Sequence, residues 1–208
     1  MFTAEGADSA EDFKFVAPIH CVLSSSVPDL FSGAERVMSP VPRWFDRKFE
    51  FTFPAEQYPN LCMRLRGTPA RLDELVRGAQ HEALVRKPGE KWSAQEHAGH
   101  LLDLEPLWLG RVEDFVRGGE VLTAADLSNR KTEEARHNER SAQEILSDFR
   151  KARKNLLDRL QKLDSGMISR TMLHPRLKTP MRLVDHLFFV AEHDDHHLAK
   201  MWELLRGQ

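Results

Sequence analysis

The chain has 208 residues, 41% of them hydrophobic and 30% charged, with a formal net charge of -2 and an isoelectric point near 6.6. Such a chain is globular rather than disordered, and long enough for one domain plus an extension. The charge balance does not favour nucleic-acid binding through phosphate neutralisation, and no apolar run is long enough for a membrane span. Residues 1–13 include Glu5, Asp8, Glu11 and Asp12, where a secretory signal would have a positive start and an apolar core, so a cytoplasmic location is expected. Cys21 and Cys62 fit no metal-ligand spacing and are expected to be free thiols.

Residues 1–50 read as an N-terminal extension, with Ser24, Ser25, Ser26, Pro28, Pro40 and Pro42 and little helical periodicity. Phe49, Phe51 and Phe53 alternate, which suits a short strand or an extended clamp. Residues 51–208 read as a helical domain. A first helical region covers about residues 55–80, interrupted at Gly67-Thr68-Pro69 as one kinked helix or two short ones.

A second helix starts at the capping box Ser93-Ala94-Gln95-Glu96 and carries the stripe Leu101, Leu104, Trp108, Val112 and Phe115, with Pro106 inside it and Gly118-Gly119 at its end. Residues 118–140 form a long polar connection, of the kind that lies over one end of a bundle and carries function. A third helix opens at a second capping box, Ser141-Ala142-Gln143-Glu144, with the stripe Ile145, Phe149, Ala152, Leu156, Leu160 and Leu163. A fourth is expected to start at Thr179-Pro180 and run to about Leu205. Four amphipathic segments without a repeated strand pattern predict an all-α bundle.

The fourth helix contains Glu192-His193-Asp194-Asp195-His196-His197. His193 and His197 share one helix face, and that face continues the apolar stripe. Two imidazoles on a core face need partners, and one metal ion satisfies both rings. A pair at this spacing also arises by chance among ten histidines. His196 lies off the stripe and is expected to point elsewhere; His186 reads as an ordinary polar contact. Asp194 and Asp195 read as a solvated acidic face or as partners of the histidine N–H groups. On the second helix either His97 or His100 could supply a third ligand, and periodicity does not choose between them. Trp92, Trp108 and Trp202 fit packing better than ligand stacking.

Lys91-Trp92-Ser93-Ala94-Gln95-Glu96-His97-Ala98-Gly99-His100-Leu101 resembles the second-helix motif of the DinB-like (YfiT-like) superfamily, and the segment from His193 to Lys200 resembles its last-helix motif. The resemblance covers about residues 55–206. It implies a DinB-like four-helix bundle, preceded here by an irregular N-terminal arm, and a metal site formed by His100, His193 and His197. Where the last-helix motif often continues with glycine and glutamine, this chain has Ala199 and Lys200.

The resemblance also implies one divalent ion (zinc, nickel, iron or manganese) and a small-molecule substrate. Relatives include transferases that use low-molecular-weight thiols such as bacillithiol, a mycothiol-dependent isomerase and metal-dependent hydrolases. Transfer of a low-molecular-weight thiol cosubstrate to an electrophile is the first expectation, with the polar connection 118–140 helping to form the pocket. Metal-dependent hydrolysis is the second, and a non-catalytic, stress-associated metal-binding protein the third. A homodimer is expected from the resemblance and from Phe188, Phe189 and Trp202, apolar residues beyond the inner stripe.

Overall fold

A computed structural model describes residues 40–206. The readings of Cys21 and of the serine run at 24–26 lie outside these residues. Six α-helices are described: α1 (Tyr58–Arg77), α2 (His81–Val85), α3 (Ala94–Arg117), α4 (Arg130–Glu134), α5 (Ala142–Leu160) and α6 (Leu183–Arg206). The four long ones form the bundle. α1 and α3 each pack against both α5 and α6; of the pairs that follow one another in the bundle's chain order, α3 and α5 pack extensively, while α1 with α3 and α5 with α6 do not.

The capping box at the start of α3 is formed: the Glu96 N–H donates to Ser93 Oγ at 3.1 Å and the Ser93 N–H donates to the Glu96 carboxylate at 2.8 Å. At the other end Gly118 takes the left-handed conformation, φ 78°, and its N–H donates to the Asp114 carbonyl, the position glycine fills without a Cβ penalty. The first helical region is one helix, with Pro69 inside α1. At Ser141 the second capping box does not form. That residue is exposed, where water satisfies the first-turn N–H groups without a side chain.

The fourth bundle helix starts later than expected. Pro180–Arg182 is a strand, β2, paired antiparallel with β1 (Thr171–Leu173), and α6 begins at Leu183. Met172 and Met181 are directly opposed and both buried, so burying this pair outweighs the local Thr-Pro start signal. Pro180 heads the strand, a place where its missing N–H is tolerated. The Asp185 carboxylate accepts the Arg182 N–H at 2.8 Å and pairs with the Arg182 guanidinium.

Two apolar clusters fill the bundle, one around Leu65, Trp108, Leu156, Leu187 and Val190, the other around Leu72, Leu101, Phe149, Leu198 and Met201. Between the two clusters Thr68, Glu105, Arg153 and Asp194, one from each long helix, form a buried polar layer. Arg153 pairs with Glu105 and Asp194, at 2.6 Å in each case, and donates to the Leu65 carbonyl; the Thr68 hydroxyl donates to Asp194 at 2.8 Å. Asp194 is therefore neither a solvated residue nor a histidine partner. It is a bundle-centre carboxylate. Asp195 is partly exposed and pairs with Arg64 and Arg71.

The stretch before α1 lies along α6 as an extended clamp. Phe51 and Phe53 pack on Phe188, while Trp44 and Phe49 pack on Phe189. The apolar positions that suggested a dimer face are thus largely covered by the chain's own segment, and Trp202, 38% exposed, is the one left open. No helix among the described residues is long and apolar enough to cross a membrane.

Candidate metal centre

His100 on α3 and His193 and His197 on α6 meet inside the bundle. One ring nitrogen from each lies within 4.8 Å of the others, and all three residues are buried. Nε2 of His193 and Nε2 of His197 face each other at 3.2 Å. Helical spacing on α6 places that pair, and the packing of α3 beside α6 brings in His100. Burial drives the protonation state. His100 is pushed down to about 4, first by burial, with Asp103 opposing. His193 and His197 are held well below the usual imidazole range, first by burial and then by neighbouring rings. The cluster is therefore neutral at neutral pH, the form that ligates metal.

The remaining ring nitrogens show how two of the rings are held. His100 Nδ1 lies 3.0 Å from the Thr132 hydroxyl, which donates to Asp103 at 3.0 Å. The same Asp103 oxygen faces His137 Nε2 at 2.7 Å. His197 Nδ1 lies 2.8 Å from His97 Nδ1. Partners of this kind fix the tautomer and leave the other nitrogen free to ligate. The donor set fits a divalent ion of the zinc, nickel, iron or manganese type: three neutral imidazoles, two with their outer nitrogens engaged, bring one nitrogen each within 4.8 Å of the others. His193 Nδ1 is buried and has no partner among the described residues.

Sequence reasoning left His97 and His100 as alternatives. The structure brings His100 into the cluster and sets His97 behind His197. It missed Thr132, Asp103 and His137, although Thr132 and His137 lie in the 118–140 connection that its length had marked. His196 does not point away. It is 9% exposed and lies beside the cluster, with Trp44 5.6 Å from its ring. The segment before α1 packs over a flank that helical phasing alone sets off the apolar stripe. His186 is no ordinary polar contact either: it is fully buried near Trp108 and Phe115, with neither ring nitrogen partnered by a side chain among the described residues.

The three histidines open on a cavity of about 370 Å³. Trp44, Trp92, Leu104, Trp108 and Phe189 give it apolar walls, and Ala124 to Leu127 of the polar connection close one side. Trp92 and Trp108 are thus cavity walls as well as packing residues. Trp92 Nε1 donates to Glu133 at 2.6 Å, which ties α4 to the rim.

The profile of the DinB superfamily matches residues 64–201. The chain belongs to the DinB superfamily. Among solved structures it is similar to YfiT from Bacillus subtilis, with a TM-score of 0.67 at 20% identity, over 77% of this chain and 93% of that one. YfiT is described as a probable metal-dependent hydrolase with an unusual four-helix bundle topology. The likeness establishes the DinB-like bundle for this chain. A comparison with curated protein sequences finds no match.

Proposed function

We propose that this DinB-superfamily chain is a metal-dependent enzyme in which His100, His193 and His197 hold one divalent ion and present it to a small-molecule substrate. The observation that carries the reading is the convergence of three buried, neutral imidazoles on a point that opens into a walled cavity. A structural site would be closed by a fourth protein ligand, and the described cluster contains three residues. An ion held there lowers the pKa of a thiol or a water molecule brought to its open position.

The cavity favours thiol transfer over hydrolysis as the first reading. Asp126 is the one carboxylate among the described lining residues, and it is engaged by the Ser128 hydroxyl and by the Ser128 and Arg130 N–H groups. Among the described lining residues no carboxylate is free to act as a general base for water, whereas a low-molecular-weight thiol is far more acidic than water and is the easier of the two to ionise at an open metal position. The tryptophan walls suit the apolar body of such an electrophile. The likeness to YfiT supports hydrolysis as the second reading.

Elemental analysis of the purified protein, followed by thiol-conjugation and ester-hydrolysis assays with and without a chelator, tests both. His193→Ala is expected to lose most bound metal and all chelator-sensitive turnover while its far-ultraviolet circular dichroism stays helical. His196→Ala, outside the three-nitrogen cluster, is expected to retain metal. Equal loss of metal in both variants would reject the assigned ligand set, and unfolding of His193→Ala alone would indicate a structural ion.

A further inference from the structure

A second part of the cavity wall is built by Arg111 of α3 and by His174 and Arg176 from the β1–β2 connection. Arg111 and His174 are each 2% exposed. Neither arginine is paired with a carboxylate among the described residues. Asp114, the acid whose charge acts on Arg111, is itself engaged by Arg117 and by the Thr123 N–H. Arg111 Nε donates to the Thr123 carbonyl at 2.8 Å, and its Nη1 lies beside His174. Arg176 Nη2 is buried without a hydrogen-bond partner among the described residues. Two guanidiniums thus stand at one cavity with no carboxylate paired to either among the described residues, an arrangement that is costly unless something fills it.

The contact between Arg111 and His174 sharpens the point. His174 Nδ1 accepts the N–H groups of Arg176 and Leu177, at 3.2 and 3.1 Å. Its lone pair is therefore on Nδ1. Burial and the two arginines push the ring down to about 3, so it is neutral, and its one proton sits on Nε2. Arg111 Nη1 lies 3.2 Å from that same Nε2. Both atoms are donors, so no hydrogen bond joins them. An acceptor within hydrogen-bond reach of both nitrogens from the cavity side would satisfy both, and the orphaned Arg176 nitrogen is a third donor in the same wall.

We propose that Arg111, Arg176 and the Nε2–H of His174 form an oxyanion subsite, and that the substrate is a small organic carboxylate whose apolar body lies along Trp108 and Phe189. The geometry links this subsite to the candidate metal centre. The Trp108 ring lies 5.5 Å from the His193 ring and 5.5 Å from the Arg111 guanidinium. The Phe189 ring lies 5.0 Å from that of His174 and 5.7 Å from the Arg176 guanidinium. One small molecule can span from the arginines to the three histidines. Guanidinium and carboxylate match in planar, forked geometry, and the apolar walls exclude the water that would otherwise weaken the pairing. The assignment rests on the metal-site reading only in taking this cavity as the active site.

The test uses the full chain as purified and two probes of matched shape, 4-phenylbutyrate and 4-phenylbutanol, titrated at neutral pH by calorimetry. The acid is expected to bind about tenfold or more tighter than the alcohol, the scale of a charge-assisted hydrogen bond. In Arg176→Gln the preference for the acid is expected to collapse with the alcohol unchanged, and Arg176→Lys should restore part of it. Equal binding of acid and alcohol to the unmodified protein would overturn the proposal, as would an undiminished preference in Arg176→Gln. A preference kept in Arg176→Gln and lost in His193→Ala would assign the carboxylate to the metal position and overturn it as well. Elemental analysis of each preparation separates the two readings: acid preference in a protein that binds no metal sustains the subsite and rejects the metal centre alone.

Discussion

Gly99 lies so close to His137 that a methyl group on it would stand 2.2 Å from the imidazole Cγ and Cδ2 atoms. The His137 ring sits there because its Nε2 meets Asp103, the residue that also anchors Thr132 and, through it, His100. Gly99→Ala must therefore push His137 off its partner. The cost expected is about 1–3 kcal/mol, the usual range for overpacking a buried site, read as a lower urea midpoint. Metal retention should fall with it. An unchanged midpoint would mean that the connection carrying His137 yields freely.

Thr132→Val removes the hydroxyl that His100 Nδ1 meets while keeping the side chain's shape. Metal affinity is expected to fall about 10–100-fold, as when a ligand loses its orienting partner, measured by competition with a chromogenic chelator. An unchanged affinity would show that α3 alone orients the His100 ring.

The polar layer predicts a non-additive series. Asp194→Ala leaves the buried Arg153 guanidinium with half its counter-charge and is expected to cost about 3–5 kcal/mol in denaturant unfolding. Replacing Thr68, Glu105, Arg153 and Asp194 together with apolar residues of similar volume should cost less than that single change. A quadruple variant that loses the sum of the single effects would contradict this account of the layer.

His186 sets an acid limit. Burial first, then the charge of Arg111, holds its pKa well below the ordinary 6.5. The unfolded chain takes up this proton near 6.5 and the folded chain does not. The stability it contributes is therefore full above 6.5 and declines as pH falls below it, by up to about 1.4 kcal/mol per pH unit for one such group. His186→Leu should flatten the dependence of the unfolding free energy on pH by about one proton over that interval. An unaltered slope would mean that His186 takes up its proton in the folded state too.

The sequence made some of this legible and hid the rest for identifiable reasons. The start of α3 was readable because a capping box is a local device, closed within Ser93 to Glu96. The His193–His197 pair was readable because helical spacing is local too. What failed depended on partners far along the chain. Arg153 and Asp194 are charged, and charge on a helix reads as solvent-facing until the opposite charge arrives from another helix. β2 was read as a helix start because Met172, which pairs with Met181, lies in a different segment. His196 was expected to point elsewhere because nothing local announces that Trp44 packs against it. The choice of His100 over His97 needed the resemblance, since both lie on faces that periodicity permits.

The cavity has two kinds of wall with different freedom to change. The three histidines sit on α3 and α6, whose positions are fixed by the bundle and its polar layer. Much of the rest comes from irregular stretches outside the four long helices: Trp44 and Phe45 before the first of them, Ala124 to Leu127 in the long connection, and His174 to Arg176 between the two strands. Insertions and substitutions in such stretches disturb a fold far less than changes in packed helices. A lineage built on this plan can reshape the cavity by rewriting those three stretches while the histidine-bearing frame stays as it is, and a designer can graft those same segments as interchangeable cassettes.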